Sequence, residues 1–307
     1  MQISTNLMFD RAITQMGTTQ DRLAKTQAQL ASSKEVISPS DAPDKSATIT
    51  RLKSIIARQN SYSATMRATQ DKLSAQESAL TSATDVLVRI KELTVQAAND
   101  TTGPEGRKLI NIEVRELRAQ LLSLANAQDV NGNYIFSGSR VTQAAFSSDQ
   151  NGKLVYQGDQ TVSAVAVGEQ RNVDNNRTGT EAFGRVIRSN DDGSLRGVGF
   201  FQAIDDLSYA LENNQMPGLQ RAINEINTMG LALSESLASV GARMNTIDTQ
   251  TALIDETVLR LKSTLSEVED VDYTQAITKM NKDMLALEAA QSSFAKISQL
   301  SLFDYIR

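Results

Sequence analysis

The sequence contains no cysteine, no histidine and no tryptophan. Without cysteine there is no disulfide framework, no thiol nucleophile and no thiolate metal site. Without histidine the usual general base and the commonest transition-metal ligand are both missing. Aromatic residues make up only 5% of the 307, so bulky core anchors are scarce, which suits long, thin helical assemblies better than a thick globular core. Basic residues are outnumbered, 31 Lys and Arg against 36 Asp and Glu, for a formal charge of −5; this argues against nucleic acid as the main partner. No stretch reaches the roughly 18 uninterrupted apolar residues of a membrane helix, which argues against membrane insertion. The opening MQISTNLMFDRAITQMG has neither a basic n-region nor an apolar h-region, so no cleaved secretory signal is expected.

The same absences bear on catalysis. Only carboxylates, Lys, Tyr and Ser/Thr remain as catalytic groups, and they are scattered along helix faces, where mixed charge is a solvated surface. No Gly-rich phosphate loop is present. Asp129-Val130-Asn131-Gly132 and Asp191-Asp192-Gly193 miss the spacing of a calcium loop and read as turns. Met244, Met280 and Met284 fall at helical spacing and read as gap-fillers, not metal ligands. The expectation is a chain that is not an enzyme and has no cofactor or metal site.

What the chain does have is heptad periodicity. From Leu219 a 4-3 alternation runs Leu219, Ile223, Ile226, Gly230, Leu233, Leu237, Val240, Met244, Ile247, Thr251, Ile254, Val258, Leu261, Leu265, Val268, broken only by Gly230 and Thr251. That is well past the three or four heptads at which a coiled coil is indicated. Met216-Pro217-Gly218 marks its start. Between Asp44 and Ala98 one row reads Leu52, Gln59, Met66, Leu73, Leu80, Leu87, Thr94 and a second Ile55, Tyr62, Thr69, Gln76, Ala83, Ile90, Ala97. Asn99 to Gly103 with Pro104 ends that helix and opens another, in which Ile110, Val114, Leu117, Leu121, Leu124 and Gln128 keep the spacing. Residues 133–204 lose the heptads. Ser148 to Gly152 forms an Asn-Gly turn, 162–168 alternate like a strand, and Asn172 to Gly179 and Asp191 to Gly193 read as loops.

The fold class is therefore mainly α: a long antiparallel coiled-coil helical bundle built from N- and C-terminal segments, with a small β-rich inserted domain. The organisation expected is a terminal helical assembly region at 1–43 plus 270–307, a coiled-coil region at 44–132 plus 205–269, and the insert at 133–204. Both ends carry 4-3 stripes, through Phe9, Ile13, Met16, Leu23 and Leu30 and through Ile277, Met280, Met284, Leu287 and Phe294. Ile297, Leu300, Leu302, Phe303 and Ile306 extend the second stripe to the chain end. Asp272 with Gln275 has the form of a capping box. A two-helix pair buries little by itself, so these fifteen side chains are the expected assembly interface.

Several short runs, taken in order, resemble one family. Met1-Gln2-Ile3-Ser4-Thr5 is similar to the start of the bacterial flagellin-like axial proteins. Gln29 to Lys34 followed by Ser38-Pro39-Ser40-Asp41-Ala42-Pro43 resembles their "LSSGK…PSDDP" signature. It departs from it at Ala31 and Ser33, and Ala42 replaces an aspartate. Asn133-Tyr134-Ile135-Phe136-Ser137-Gly138 resembles the family's "NYIFSG" run, and 285–303 its C-terminal signature. The Tyr-Ile-Phe-Ser-Gly run and the Pro-Ser-Asp turn side with the family's junction subunits over flagellin itself. The resemblance implies a structural adaptor that joins hook to filament. Its terminal helices would form an inner tube, the coiled helices a next shell, and the insert would face outward. The partners it implies are copies of the chain in a ring, a neighbouring hook-associated protein, flagellin, an export chaperone and the flagellar type III apparatus. Export without signal cleavage and an extracellular, flagellar location follow from it too. A filament subunit and a cytosolic coiled-coil adaptor are the alternative readings.

Overall fold

The structure, a computed structural model, describes residues 2–149, 153–189 and 195–305, with side chains from residue 7 to residue 296 within those spans apart from that of Ser189. The chain runs α1 (Gln2–Ser32), α2 (Pro43–Ala98), α3 (Pro104–Ala125), β1 (Phe146–Ser148), β2 (Leu154–Tyr156), β3 (Ala164–Ala166), β4 (Asn172–Asp174), α4 (Gly179–Ala182), β5 (Arg185–Ser189), β6 (Leu195–Gly199), α5 (Phe200–Glu212), α6 (Met216–Glu269) and α7 (Tyr273–Tyr305). It divides into two compact units, one of residues up to 59 with those from 255 onward, the other of residues 60–254.

In the second unit the heptad rows become the core. Leu219, Ile226, Leu233, Val240, Ile247 and Ile254 of α6 are buried, as are Met66, Leu73, Leu80, Leu87, Ala83 and Ile90 of α2. Thr251 lies against Met66 and Gln70 bonds Asp248, so position numbers rise along one helix as they fall along the other. The two helices are therefore antiparallel. Three polar positions in the α2 seam make hydrogen bonds, although Gln76 Oε1 stays unpartnered among the described residues. Thr69 and Thr94 donate back to the carbonyls of Thr65 and Ile90, at 2.8 and 2.7 Å. Gln76 donates to the Ile135 carbonyl at 3.4 Å, tying the seam to the root of the insert. Pro104 takes the first turn of α3, where its missing N–H costs nothing. The buried Arg107 donates to the carbonyls of Ala97 and Asn99 and to Asn214, closing the end of α2.

Among the described residues the insert is three antiparallel strand pairs, β1–β2, β3–β4 and β5–β6. One expectation is overturned here: Asn172–Asp174, read as loop, forms β4 and pairs with β3 in the register Val165↔Val173. Val173 is buried, and that burial outweighs the turn-forming asparagines around it. The Asn-Gly turn at 151–152 and the Asp191 to Gly193 loop lie outside the described residues. Aromatics are scarce in the chain but concentrated here. Phe136, Phe146, Phe183, Phe200 and Phe201 lie with neighbouring ring centroids 5.2 to 6.2 Å apart, mostly edge to face, an arrangement that suits the ring quadrupoles. All five are buried. The insert thus has a small aromatic core of its own, which gathers much of what few aromatics the chain has.

The Asn133 to Gly138 run is the knot that holds this core to the helices. Asp129 accepts from the backbone N–H groups of Asn131 and Asn133, at 2.8 and 2.9 Å. Tyr156 donates its hydroxyl to the carbonyls of Phe136 and Asp159, at 3.0 and 2.8 Å. Gly138 sits at φ +73, and a Cβ there would fall 2.5 Å from the Asp159 carbonyl oxygen, so glycine is required on both counts. Asp159 accepts from the hydroxyl of Ser139, from its backbone N–H at 2.8 Å and from that of Thr161 at 3.1 Å. The Ser139 hydroxyl chiefly, then these N–H groups, hold the carboxyl at about 2, below its ordinary 3.8. A depressed carboxyl contributes stability that is present above the unfolded value and lost as pH falls through the folded one. The Ser139–Thr161 loop is therefore expected to loosen between about pH 4 and pH 2. Amide exchange at Ser139 and Thr161 checks this: Asp159→Asn should remove the pH dependence, and an unchanged profile in that variant would rule out the assignment.

Candidate assembly surface

In the first unit α1 packs on α7. Phe9 meets Phe294 edge to face, with centroids 5.4 Å apart. Among the described residues, those that this pair buries fully are small or polar: Thr19, Thr26, Ala276 and Asp283. The threonine hydroxyls bond back within α1, to Gln15 and Arg22. Asp283 is buried with Oδ2 unpartnered among the described residues, and such a group costs about 1–3 kcal/mol. Among the described residues the pair leaves its large apolar side chains only half-buried or exposed, and it carries a polar liability.

The stripe residues fall into three groups. Phe9, Met16, Leu23, Leu30, Met280, Leu287 and Phe294 are half-buried. Ile13, Ile277 and Met284 stay 54%, 44% and 42% exposed. The side chains of Ile297, Leu300, Leu302 and Phe303, and Ile306 altogether, lie outside the described residues. The structure adds apolar side chains that a single 4-3 trace passes over: Leu7, Met8 and Leu285 are all about half exposed or more. The signal for them was adjacency, since Leu7 and Met8 precede Phe9 and Leu285 follows Met284, so each helix is apolar over more than one stripe. Exposed apolar side chains of this kind are what an assembly interface would use.

The base of the pair is pinned by the two signature segments. Ser33, at φ 60, ends α1 and its hydroxyl lies 2.6 Å from that of Tyr273. Glu35 donates its N–H to the Glu269 carbonyl at 2.7 Å, and Val271 donates to that of Ser33 at 3.1 Å. The buried Glu269 carboxylate takes Lys34 and Lys53, each at 2.8 Å. Burial pushes this carboxyl up, and the two lysines overcome it, holding it below the ordinary carboxylate range. Ser38 and Asp41 close a turn on each other at 2.9 Å, and Lys25 pairs with Asp41 at 2.7 Å. Lys25 first, then the Ser38 N–H, draws the Asp41 carboxyl down. Asp272 caps α7, accepting from the N–H groups of Thr274 and Gln275 at 2.9 and 3.1 Å. The Lys34 and Ser-Pro-Ser-Asp signatures thus fix where the terminal pair begins. Among the described helices none is long and apolar enough to cross a membrane.

Residues 3–141 match the family model of the bacterial flagellin N-terminal helical region, and residues 222–306 that of the bacterial flagellin C-terminal helical region. The chain is similar to flagellar hook-associated protein 3 of Escherichia coli strain K12, at 27% identity over 99% of both chains. It is likewise similar to the protein of that name in Salmonella typhimurium, at 26% identity over 100% of both. The crystal structure of flagellar hook associated protein-3 from Legionella pneumophila shares the fold, with a TM-score of 0.64 at 19% identity over 72% of this chain and 98% of that one.

Proposed function

Because the chain belongs to the bacterial flagellin family, we propose that it is the structural adaptor that joins the flagellar hook to the flagellin filament. The end-to-end similarity to two hook-associated proteins 3 carries the reading; the exposed apolar side chains of α1 and α7 support it. In each copy α1 and α7 would present Ile13, Ile277 and Met284, with Phe9, Met16, Leu23, Leu30, Met280, Leu287, Phe294 and the tail residues Ile297, Leu300, Leu302, Phe303 and Ile306 around them. Neighbours in a ring would cover these side chains. Contacts of this head-to-tail kind build rings and open tubes, not closed dimers. One rim of such a ring would meet a neighbouring hook-associated protein and the other flagellin, with residues 44–132 and 205–269 as the next shell and 133–204 outermost. The weak terminal pairing also suits a chain that leaves the cell extended through the type III apparatus, handed over by a chaperone, to an extracellular location.

Gold-labelled antibody against the chain, applied to whole flagella, tests the reading. A single band where hook meets filament is expected. Label spread along the filament would favour a flagellin subunit instead, and label confined to the cytosol would favour a coiled-coil adaptor.

A further inference from the structure

Within residues 60–254, α2 and α6 leave an apolar groove between them. Val88 is 50% exposed, Leu231 is 71% exposed, and Gly230 between the helices leaves room, since a Cβ there would meet only Leu87 Cδ2 at 3.9 Å. The groove measures about 430 Å³, and Lys91 stands on its wall. Lys91 has no ion-pair partner among the described residues.

The α3 helix carries the complementary shape. Leu109 and Ile112, one turn apart, are 69% and 62% exposed, and together form a ridge. Glu116 follows one turn on, exposed and without an ion-pair partner among the described residues. Ridge and groove cannot meet within one molecule. Arg89 of α2 pairs with Glu113 of α3 at 2.8 Å. At 3.6 residues per turn Arg89 points about 160° away from both Leu87 and Lys91, so α3 lies on the flank of α2 opposite the groove.

An uncovered apolar ridge with a spare carboxylate and an uncovered groove with a spare ammonium, on opposite flanks of one molecule, fit a second copy of the same chain. We propose that Leu109 and Ile112 of one copy seat in the Val88–Gly230–Leu231 groove of the next, with Glu116 meeting Lys91. The contact is heterologous, so every copy offers both halves and the row continues until it closes. It lies on α2, α3 and α6, apart from α1 and α7. It rests on the reading that copies stand side by side in the flagellum.

The cysteine-free sequence makes the contact directly testable. A chain carrying Val88→Cys and Ile112→Cys, expressed as the sole copy, is treated on intact flagella with a short bis-maleimide. A ladder of covalent multimers is expected, and only monomer from either single variant. Lys91→Glu should lower the yield by about threefold, the effect of one exposed charge pair, and adding Glu116→Lys should restore it. Multimers from the Val88→Cys single variant would mean that the groove faces its own kind, and would overturn the proposal. So would a flagellum-borne double variant that gives only monomer. Absence of the wild-type chain from flagella would remove the functional reading and this contact with it, whereas its presence without cross-linking removes the contact alone.

Discussion

Replacing Ile13, Ile277 and Met284 together with glutamine is expected to leave the chain helical and to abolish its incorporation into flagella. The three side chains are 54%, 44% and 42% exposed, so their loss removes little from the interior of a single copy. Glutamine is a good helix former, so α1 and α7 keep their propensity. The loss would fall on contacts with neighbours. Full burial of such side chains contributes about 1.5–3 kcal/mol each, and about half of that is still to be gained. Three per copy come to about 3 kcal/mol, a factor of about a hundred in subunit affinity, repeated at every contact along a ring. Circular dichroism of the purified variant and its amount in sheared flagella check the two halves of this statement. Normal incorporation would show that these side chains are not the interface.

Arg188→Ala is expected to destabilise the second unit by about 3–5 kcal/mol, because it strands a buried carboxylate. Arg188 on β5 grips Glu225 of α6 through two bonds, at 2.5 and 3.0 Å, and reaches Asp206 of α5 at 2.6 Å. The Glu225 hydrogen bonds, chiefly, hold the Arg188 guanidinium above its ordinary range. The Glu225 side chain is only 5% exposed, and once Arg188 is gone the one cation near it is Arg221 at 3.7 Å among the described residues. The double variant Arg188→Met/Glu225→Met should recover most of the loss, since replacing both partners by apolar groups avoids the unpaired charge. Urea denaturation of the single and double variants measures both. A double variant no more stable than the single one would show that the pair's packing, not the stranded charge, sets the cost.

The helices were legible because their signal is long. Fifteen 4-3 positions from Leu219 to Val268 reinforce one another, and a side chain such as Leu233 or Val240 is buried where the pattern puts it. The helix borders at Pro104 and Met216 were equally plain, since proline has few places to stand. The insert was less legible because its strands are three to five residues long. Two periods of alternation cannot outweigh local turn chemistry, which is why Asn172–Asp174 read as loop. The cluster around Phe183 was hidden by averaging: an aromatic fraction of 5% over the chain says nothing of rings gathered from positions 136 to 201. At the assembly surface the trace found Ile13 and Ile277 but not Leu7 or Leu285, because a 4-3 count follows one stripe and these helices are apolar on more.

In a lone copy α1 and α7 are expected to be loosely held, and in the flagellum neighbours are expected to cover them. Hydrogen–deuterium exchange, comparing the dilute purified chain with the same chain in isolated flagella, addresses this most directly. In the free chain, amides of residues 7–32 and 273–296 should exchange far faster than those around Leu80 and Leu233, and should become protected in flagella. Full protection of Ile13, Met16, Met284 and Leu287 in the dilute chain, unchanged on assembly, would contradict it.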